Sequence, residues 1–198
     1  GEIVCFKSST NWSRIPRPKT LMKSTRLKII DRILEVIGDS HTIAVCSHMR
    51  PDGDCIGSSL GLSLALLELG KEVTCWNQDA VPSKLKFLDP DQLIQTPRQI
   101  NRAFDCVIAV DSASIERLGT AQEHIANRKV LINIDHHASN TRFGDINWIA
   151  SREPSSGELI YRLIKEAGWK LTPRIADCQF TAISTDTGSF QYASTLPA

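Results

Sequence analysis

Residues 129–140 read KVLINIDHHASN. Val130, Leu131, Ile132 and Ile134 form an apolar run of strand length, the pattern of a strand covered on both faces. The run stops on Asp135-His136-His137, an acid and two imidazoles, which are costly to bury and suited to binding metals. A core strand that ends this way places a chemical site at its carboxyl end.

Working outward, three more runs read as strands: HTIAVCSH (41–48), KEVTCWN (71–77) and FDCVIAVD (104–111). Helical patterns alternate with them. Leu27, Ile30, Leu34 and Ile37 share one face, with Gly38 as the expected C-cap. Ile56, Leu60, Leu64 and Leu67 share another, ending at Gly70. Ser155-x-x-Glu158 has the form of a capping box, opening a helix with Leu159, Ile160, Leu163, Ile164 and Ala167 inward and stopping near Gly168. Thr172 and Pro173 read as N-cap and first residue of a last helix, with Ala176, Phe180 and Ile183 at helical spacing. Alternating strands and helices predict an α/β fold, a mainly parallel β-sheet flanked by helices. Such sheets bind ligands beyond the carboxyl ends of their strands.

Metal-binding residue types collect at those ends. His48, Asp52 and Asp54 follow the first strand in an H-x-x-P-D-x-D spacing, Asp111 follows the third, and Asp135, His136 and His137 close the fourth. Asp186, in ISTDTGSF, is expected just beyond the last helix. Each piece has a plain alternative: Pro-Asp-Gly is a routine turn, an Asp after a strand often caps a helix, and loop histidines can be idle. Together, carboxylates at such density repel unless a cation compensates them. His48, Asp52, Asp54, Asp111, His136 and Asp186 are too many ligands for one ion with open positions and suit two divalent ions sharing a carboxylate. Mn²⁺ is the expected metal, with Mg²⁺, Fe²⁺, Co²⁺ or Zn²⁺ as competitors. The reaction class this implies is phosphate-ester hydrolysis, in which paired metals stabilise attacking and leaving oxygens.

Composition narrows the partners. The 198 residues carry a net charge of +1, which disfavours a long basic track for polymeric nucleic acid and leaves a small anionic substrate at a focused site. No apolar run approaches the ~20 residues that span a bilayer. The six cysteines (5, 46, 55, 75, 106, 178) form no C-x-x-C pair, which predicts a reducing, cytoplasmic setting without disulfides. After Glu2 no acid occurs until Asp31, while Lys7, Arg14, Arg17, Lys19, Lys23, Arg26 and Lys28 accumulate around Pro16 and Pro18. Residues 1–25 are therefore expected to be a disordered basic leader, and residues 26–198 a catalytic domain.

Four motifs, in order, carry a resemblance to the DHH phosphoesterase family: HMRPDGDCIGSSLGL (48–62), VDSAS (110–114), DHHASN (135–140) and STDTGSFQY (184–192). Singly each is weak; jointly they are specific. Within the family the sequence is most similar to the nanoRNase and pAp phosphatase branch. The resemblance implies a two-metal enzyme that releases mononucleotides from very short RNAs or dephosphorylates 3′-phosphoadenosine 5′-phosphate, a nucleoside bisphosphate. It implies that His48 and Asp52 hold one metal, Asp54 and His136 the other, that Asp111 bridges them, and that Asp186 completes the set. His137 is implied to face the substrate phosphate, Asp135 to orient a histidine, and Gly57, Ser58 and Ser59 to bring a helix N-terminus close to the substrate. The family also implies a C-terminal domain with a glycine-rich substrate clamp, expected to lie outside these residues, and a homodimer is the assembly to test. A RecJ-type exonuclease, a family II inorganic pyrophosphatase and a cyclic-dinucleotide phosphodiesterase are the competing activities. A nucleotide- or metal-binding module without turnover is the non-enzymatic alternative.

Overall fold

A computed structural model describes residues 25–97, 102–193 and 195; but for Thr25, the expected leader lies outside them. In chain order the elements are α1 (Thr25–Asp39), β1 (Thr42–Ser47), α2 (Gly53–Glu68), β2 (Glu72–Trp76), β3 (Ile94–Gln95) and β4 (Phe104–Val110). There follow α3 (Ala121–His124), β5 (Arg128–Asp135), β6 (Ile146–Ile149), α4 (Ser156–Ala167) and α5 (Pro173–Asp186). Short 3₁₀ turns occupy Ser83–Leu88 and Ile115–Leu118. The four expected strands are β1, β2, β4 and β5; β3 and β6 are additions at the two edges.

All pairings are parallel, in the order β3-β2-β1-β4-β5-β6. The order reverses direction between β1 and β4, which opens a crevice beyond the carboxyl ends of those two strands. Register then fixes what lines it. Ser47 sits beside Val110, and Val110 beside Ile134, so His48, Asp111 and Asp135 leave the sheet as one row.

Period-two alternation divides the sheet between two cores. Ile43 and Val45 of β1, Ile108 and Val110 of β4, and Ile132 and Ile134 of β5 face the larger core with α1, α2 and α4. Ala44, Cys46, Val107, Ala109 and Leu131 face the smaller one, closed by Leu118, Ala121 and Ile125 and by the edge-to-face pair Trp76 and Phe104, 5.5 Å between ring centres. Each fully buried Ile or Leu contributes about 1.5–3 kcal/mol of transfer free energy.

Helix ends follow the sequence where a side chain or a left-handed residue caps them. Ser155 accepts from the Glu158 amide (3.2 Å), Thr172 accepts from the Ile175 amide (3.3 Å), and Gly168 ends α4 at φ +67°. Gly38 does not cap α1. The helix continues to Asp39, and Ser40 closes it, its amide and hydroxyl both donating to the Val36 carbonyl at 3.1 and 2.7 Å.

Two helix faces also differ from expectation. Almost all of α2 is buried, because α5 covers the side that the sheet does not, whereas Leu67 is exposed. On α5 the inward residues are Ile175, Cys178, Gln179 and Ala182, and Phe180 is 62% exposed. Small residues set that face, since α5 lies against Gly57 of α2: a Cβ there would stand 2.4 Å from the Cys178 carbonyl oxygen. The described cysteines 46, 55, 75, 106 and 178 are buried free thiols. Among the described residues no helix is long and apolar enough to cross a membrane.

At the opposite end of the sheet, Asp105 joins three strands. Its carboxylate accepts from the His41 and Thr42 amides (3.0 Å each), the Thr42 hydroxyl (3.1 Å) and Lys129 Nζ (2.7 Å). The Lys129 contact first, then the two amides, hold its carboxyl well below the usual carboxylate range. Because the folded value is depressed, the stabilisation is present above the unfolded value of about 4 and is lost as pH falls through and below it. Asp105→Ala is expected to cost about 1–2 kcal/mol at pH 7, or roughly 2–8 °C in Tm. Chemical denaturation at pH 7 and pH 3 checks this; a gap that does not narrow at pH 3 contradicts it.

Candidate metal centre

The crevice at the strand reversal holds every histidine and aspartate singled out above as a candidate ligand. His48 leaves β1 with Nδ1 2.8 Å from the Met49 carbonyl oxygen, an acceptor only, so Nδ1 carries the proton. Its Nε2 lies 3.3 Å from Asp111 and 3.8 Å from Asp52. Asp52 is the N-cap of α2 and accepts from the Cys55 amide at 3.0 Å. One turn of backbone therefore both starts a helix and aims an exposed carboxylate at His48.

Asp54, in the first turn of α2, is 1% exposed. Its oxygens accept from the first two amides of α4, Ser156 at 2.7 Å and Gly157 at 2.8 Å, and from the Ser58 hydroxyl at 2.8 Å. Those amides have no partner within their own helix, and the positive end of α4 favours the anion.

Asp111 leaves β4 at φ +53°, a left-handed conformation that aspartate tolerates better than most residues. One of its oxygens accepts from the Ser156 hydroxyl at 2.9 Å. His136 follows β5 and turns Nδ1 to the Glu153 carbonyl oxygen (3.3 Å); its Nε2 stands 3.3 Å from Asp186 and 3.7 Å from both Asp54 and Asp111. Asp186 is the last residue of α5, one residue earlier in the architecture than expected. His137 is 42% exposed, with Nδ1 2.8 Å from Asp135.

Three sets of ligand atoms fall within 4.8 Å of one another: His48-Asp52-Asp111, Asp54-His136-Asp186 and Asp111-His136-His137. Asp111 belongs to two of them. Electrostatics favour a cation among these groups. Burial first, then the Asp111 and Asp186 charges, push Asp54 well above the usual carboxylate range, overriding its amide donors. Burial and the Asp111 and Asp52 charges likewise raise Asp186, against the pull of His136. Burial opposes ionisation of Asp111 too, but the His48 hydrogen bond and the three nearby imidazoles hold it low. With Nδ1 of His48 and His136 near backbone carbonyls, each Nε2 faces carboxylate oxygens, and, against burial, the Asp111 carboxylate favours the charged form of His48 and raises its pKa. A cation placed between them would satisfy the carboxylates and the Nε2 atoms together.

Gly57 packs against α5, and Ser58 is fully buried with its hydroxyl on Asp54; neither presents a surface to a substrate. Asp135 is also fully buried and meets His137 and Asn140. Asn140, Ser156 and Arg117 are the groups that the sequence did not single out. Asn140 Nδ2 reaches Asp135 (2.6 Å), Asn133 Oδ1 (2.8 Å) and the Ser112 carbonyl (3.0 Å). Its place within the DHHASN motif was the available signal. For Ser156 the signal was its position directly after the N-cap Ser155.

Comparison with known proteins places these features in a wider set. A family model described as the DHH family, N-terminal domain, matches residues 42–183. The bifunctional oligoribonuclease and PAP phosphatase NrnA of Thermus thermophilus is 35% identical over 173 residues, covering 87% of this chain and 51% of that protein. An exopolyphosphatase-related protein from Bacteroides fragilis superposes with a TM-score of 0.80 at 28% identity, over 86% of this chain and 53% of that one. Exonuclease RecJ bound to manganese shares the fold, with a TM-score of 0.51 at 16% identity over 90% of this chain and 47% of its own. The chain spans about half the length of the curated relatives it matches. The expected homodimer has no support in these findings and is not carried forward.

Proposed function

The chain belongs to the DHH family, and on that premise we propose that it is the catalytic half of a two-metal phosphoesterase acting on very short RNA or on 3′-phosphoadenosine 5′-phosphate. The observation that carries the reading is Asp111, which groups with His48 and Asp52 on one side and lies 3.7 Å from His136, itself part of the Asp54-His136-Asp186 cluster, on the other. Two groups of mixed carboxylate and neutral imidazole suit Mn²⁺, and the RecJ structure is of a manganese-bound enzyme. The Thermus relative's name supplies the substrate classes.

In this reading His48 and Asp52 hold one ion, Asp54, His136 and Asp186 the second, and Asp111 both. Bound there, such a pair supplies Lewis acidity at phosphorus and to the attacking water. The chain's own groups do the rest. Asp135 accepts a hydrogen bond from His137 Nδ1 and raises the ring's pKa above its ordinary value, which suits the ring to donate from Nε2 to charge developing on the phosphate. Asn140 donates from Nδ2 to the far oxygen of Asp135 and keeps the pair in place. The α4 amides fix Asp54 so that its orientation does not have to be purchased when the substrate binds.

The test is release of mononucleotide from an RNA dinucleotide by the 198-residue chain, followed by chromatography with Mn²⁺ and with chelator. Release with Mn²⁺ and none with chelator is the expected result. A folded, metal-loaded chain that releases nothing from the dinucleotide or from 3′-phosphoadenosine 5′-phosphate refutes the proposal.

A further inference from the structure

We propose that Arg117 is a substrate-phosphate-binding residue, an inference that rests on the phosphoesterase reading of the neighbouring site. Its guanidinium Nη2 lies 3.2 Å from Nδ1 of His48. The Met49 carbonyl competes for the same nitrogen at the shorter distance of 2.8 Å, so the imidazole is at best a weak, neutral partner for Arg117. No carboxylate pairs with Arg117 among the described residues, and it is the one arginine there that touches a candidate ligand. A guanidinium is planar, always charged and carries several donors. Here it is held at the edge of a metal site without an anion to bind.

The anchoring of Arg117 is as informative as its contact. It sits in the 3₁₀ turn Ile115–Leu118, the first turn after β4 and Asp111, and its carbonyl accepts from the Met49 amide at 2.8 Å. Gly119 follows at φ +57° and lies so close to Gln78 that a Cβ would stand 2.0 Å from Oε1. That same Oε1 accepts from the Thr120 amide at 3.0 Å. The turn is thus tied to the residues that follow both β1 and β2.

The charge inventory gives the purpose. Asp52, Asp54, Asp111, Asp135 and Asp186 crowd the crevice, and each substrate under consideration adds a phosphate of the same sign. A fork of N–H donors at the rim supplies a paired hydrogen-bonded contact to phosphate oxygens, which a lysine ammonium supplies only as a point charge. Arg117 therefore contributes to binding rather than to the bond-breaking step.

Two measurements on the full chain test this. With Mn²⁺ and dinucleotide, Arg117→Met is expected to raise KM roughly 10- to 100-fold and to leave kcat within about threefold. Arg117→Lys should recover only part of the loss. Arg102→Met, whose wild-type side chain pairs with Glu72 at the far end of the sheet (2.6 Å), removes the same charge and should leave KM unchanged. Calorimetric binding of AMP in Mn²⁺ supplies a readout without turnover, with Kd expected to weaken as KM rises. Hydrolysis by wild type and by Arg117→Met with equal KM and equal AMP affinity overturns the assignment and leaves the phosphoesterase reading standing. AMP binding that depends on Arg117 in a chain that hydrolyses neither substrate sustains the assignment and removes the activity. Absence of both binding and hydrolysis in wild type removes both, and equal losses in Arg117→Met and Arg102→Met reduce the effect to general charge.

Discussion

Asp111→Asn is expected to lower dinucleotide hydrolysis by at least about 10³-fold, roughly 4 kcal/mol in transition-state stabilisation, without loss of the fold. Asparagine is the informative replacement because Asp111 sits at φ +53°. Asparagine accepts that left-handed backbone, whereas alanine adds a strain of about 1–2 kcal/mol that would blur the result. The asparagine Oδ1 also retains an acceptor for the Ser156 hydroxyl, now at 2.9 Å. What disappears is one negative charge that lies beside His48, His136 and His137. Thermal melts separate chemistry from folding. Mn²⁺ should raise the wild-type Tm through preferential binding to the folded chain and should do little for the variant. Without metal the variant loses the attraction of His48, His136 and His137 for the Asp111 carboxylate, while Asp54 and Asp186 lose a repulsive neighbour, so its Tm should stay near that of wild type. Activity retained within tenfold means Asp111 is not shared between two ions.

The four central strands were legible in the sequence because each is an apolar run that ends at a turn or a charged residue. The edges were not. β3 is two residues long, and β6 is four residues with Asn147 among them; neither run is long enough to show a period. The α2 and α5 faces were misread for a related cause. Periodicity reports an apolar stripe, yet here contact is decided by where small residues permit close approach, so Ala182 and Cys178 face inward while Phe180 does not. The candidate ligands stood out because aspartate and histidine are expensive at the end of a buried strand. Ser156, Asn140 and Arg117 are ordinary loop and helix-end residues in sequence. Their contacts exist only once β1, β4, β5 and α4 are adjacent, which no local pattern encodes.

The same close approach sets up the largest stability effect. Gly57→Ala places a Cβ 2.4 Å from the Cys178 carbonyl oxygen and 2.9 Å from the Ala182 Cβ. The first of these is backbone inside α5, so it cannot swing aside as a side-chain end would. Either α2 or α5 has to move. Overpacking of this kind costs about 1–3 kcal/mol or more, and the better helix propensity of alanine returns at most about 1 kcal/mol. A net loss of about 2 kcal/mol is expected, which lowers Tm by roughly 4–8 °C. The displacement also reaches the site, because Asp54 stands three positions before Gly57 on α2 and Asp186 ends α5. Hydrolysis by the folded variant should therefore fall along with Tm. Gly168→Ala isolates the other use of glycine. Position 168 has φ +67° and nothing within 4 Å of an added Cβ, so alanine pays only the left-handed conformation, about 1–2 kcal/mol, and hydrolysis by the folded protein should be unchanged. Equal activity losses in the two variants would mean that general destabilisation, rather than the spacing of α2 and α5, governs the site. An unchanged Tm in Gly57→Ala would mean that the two helices have slack and that small residues do not set their separation.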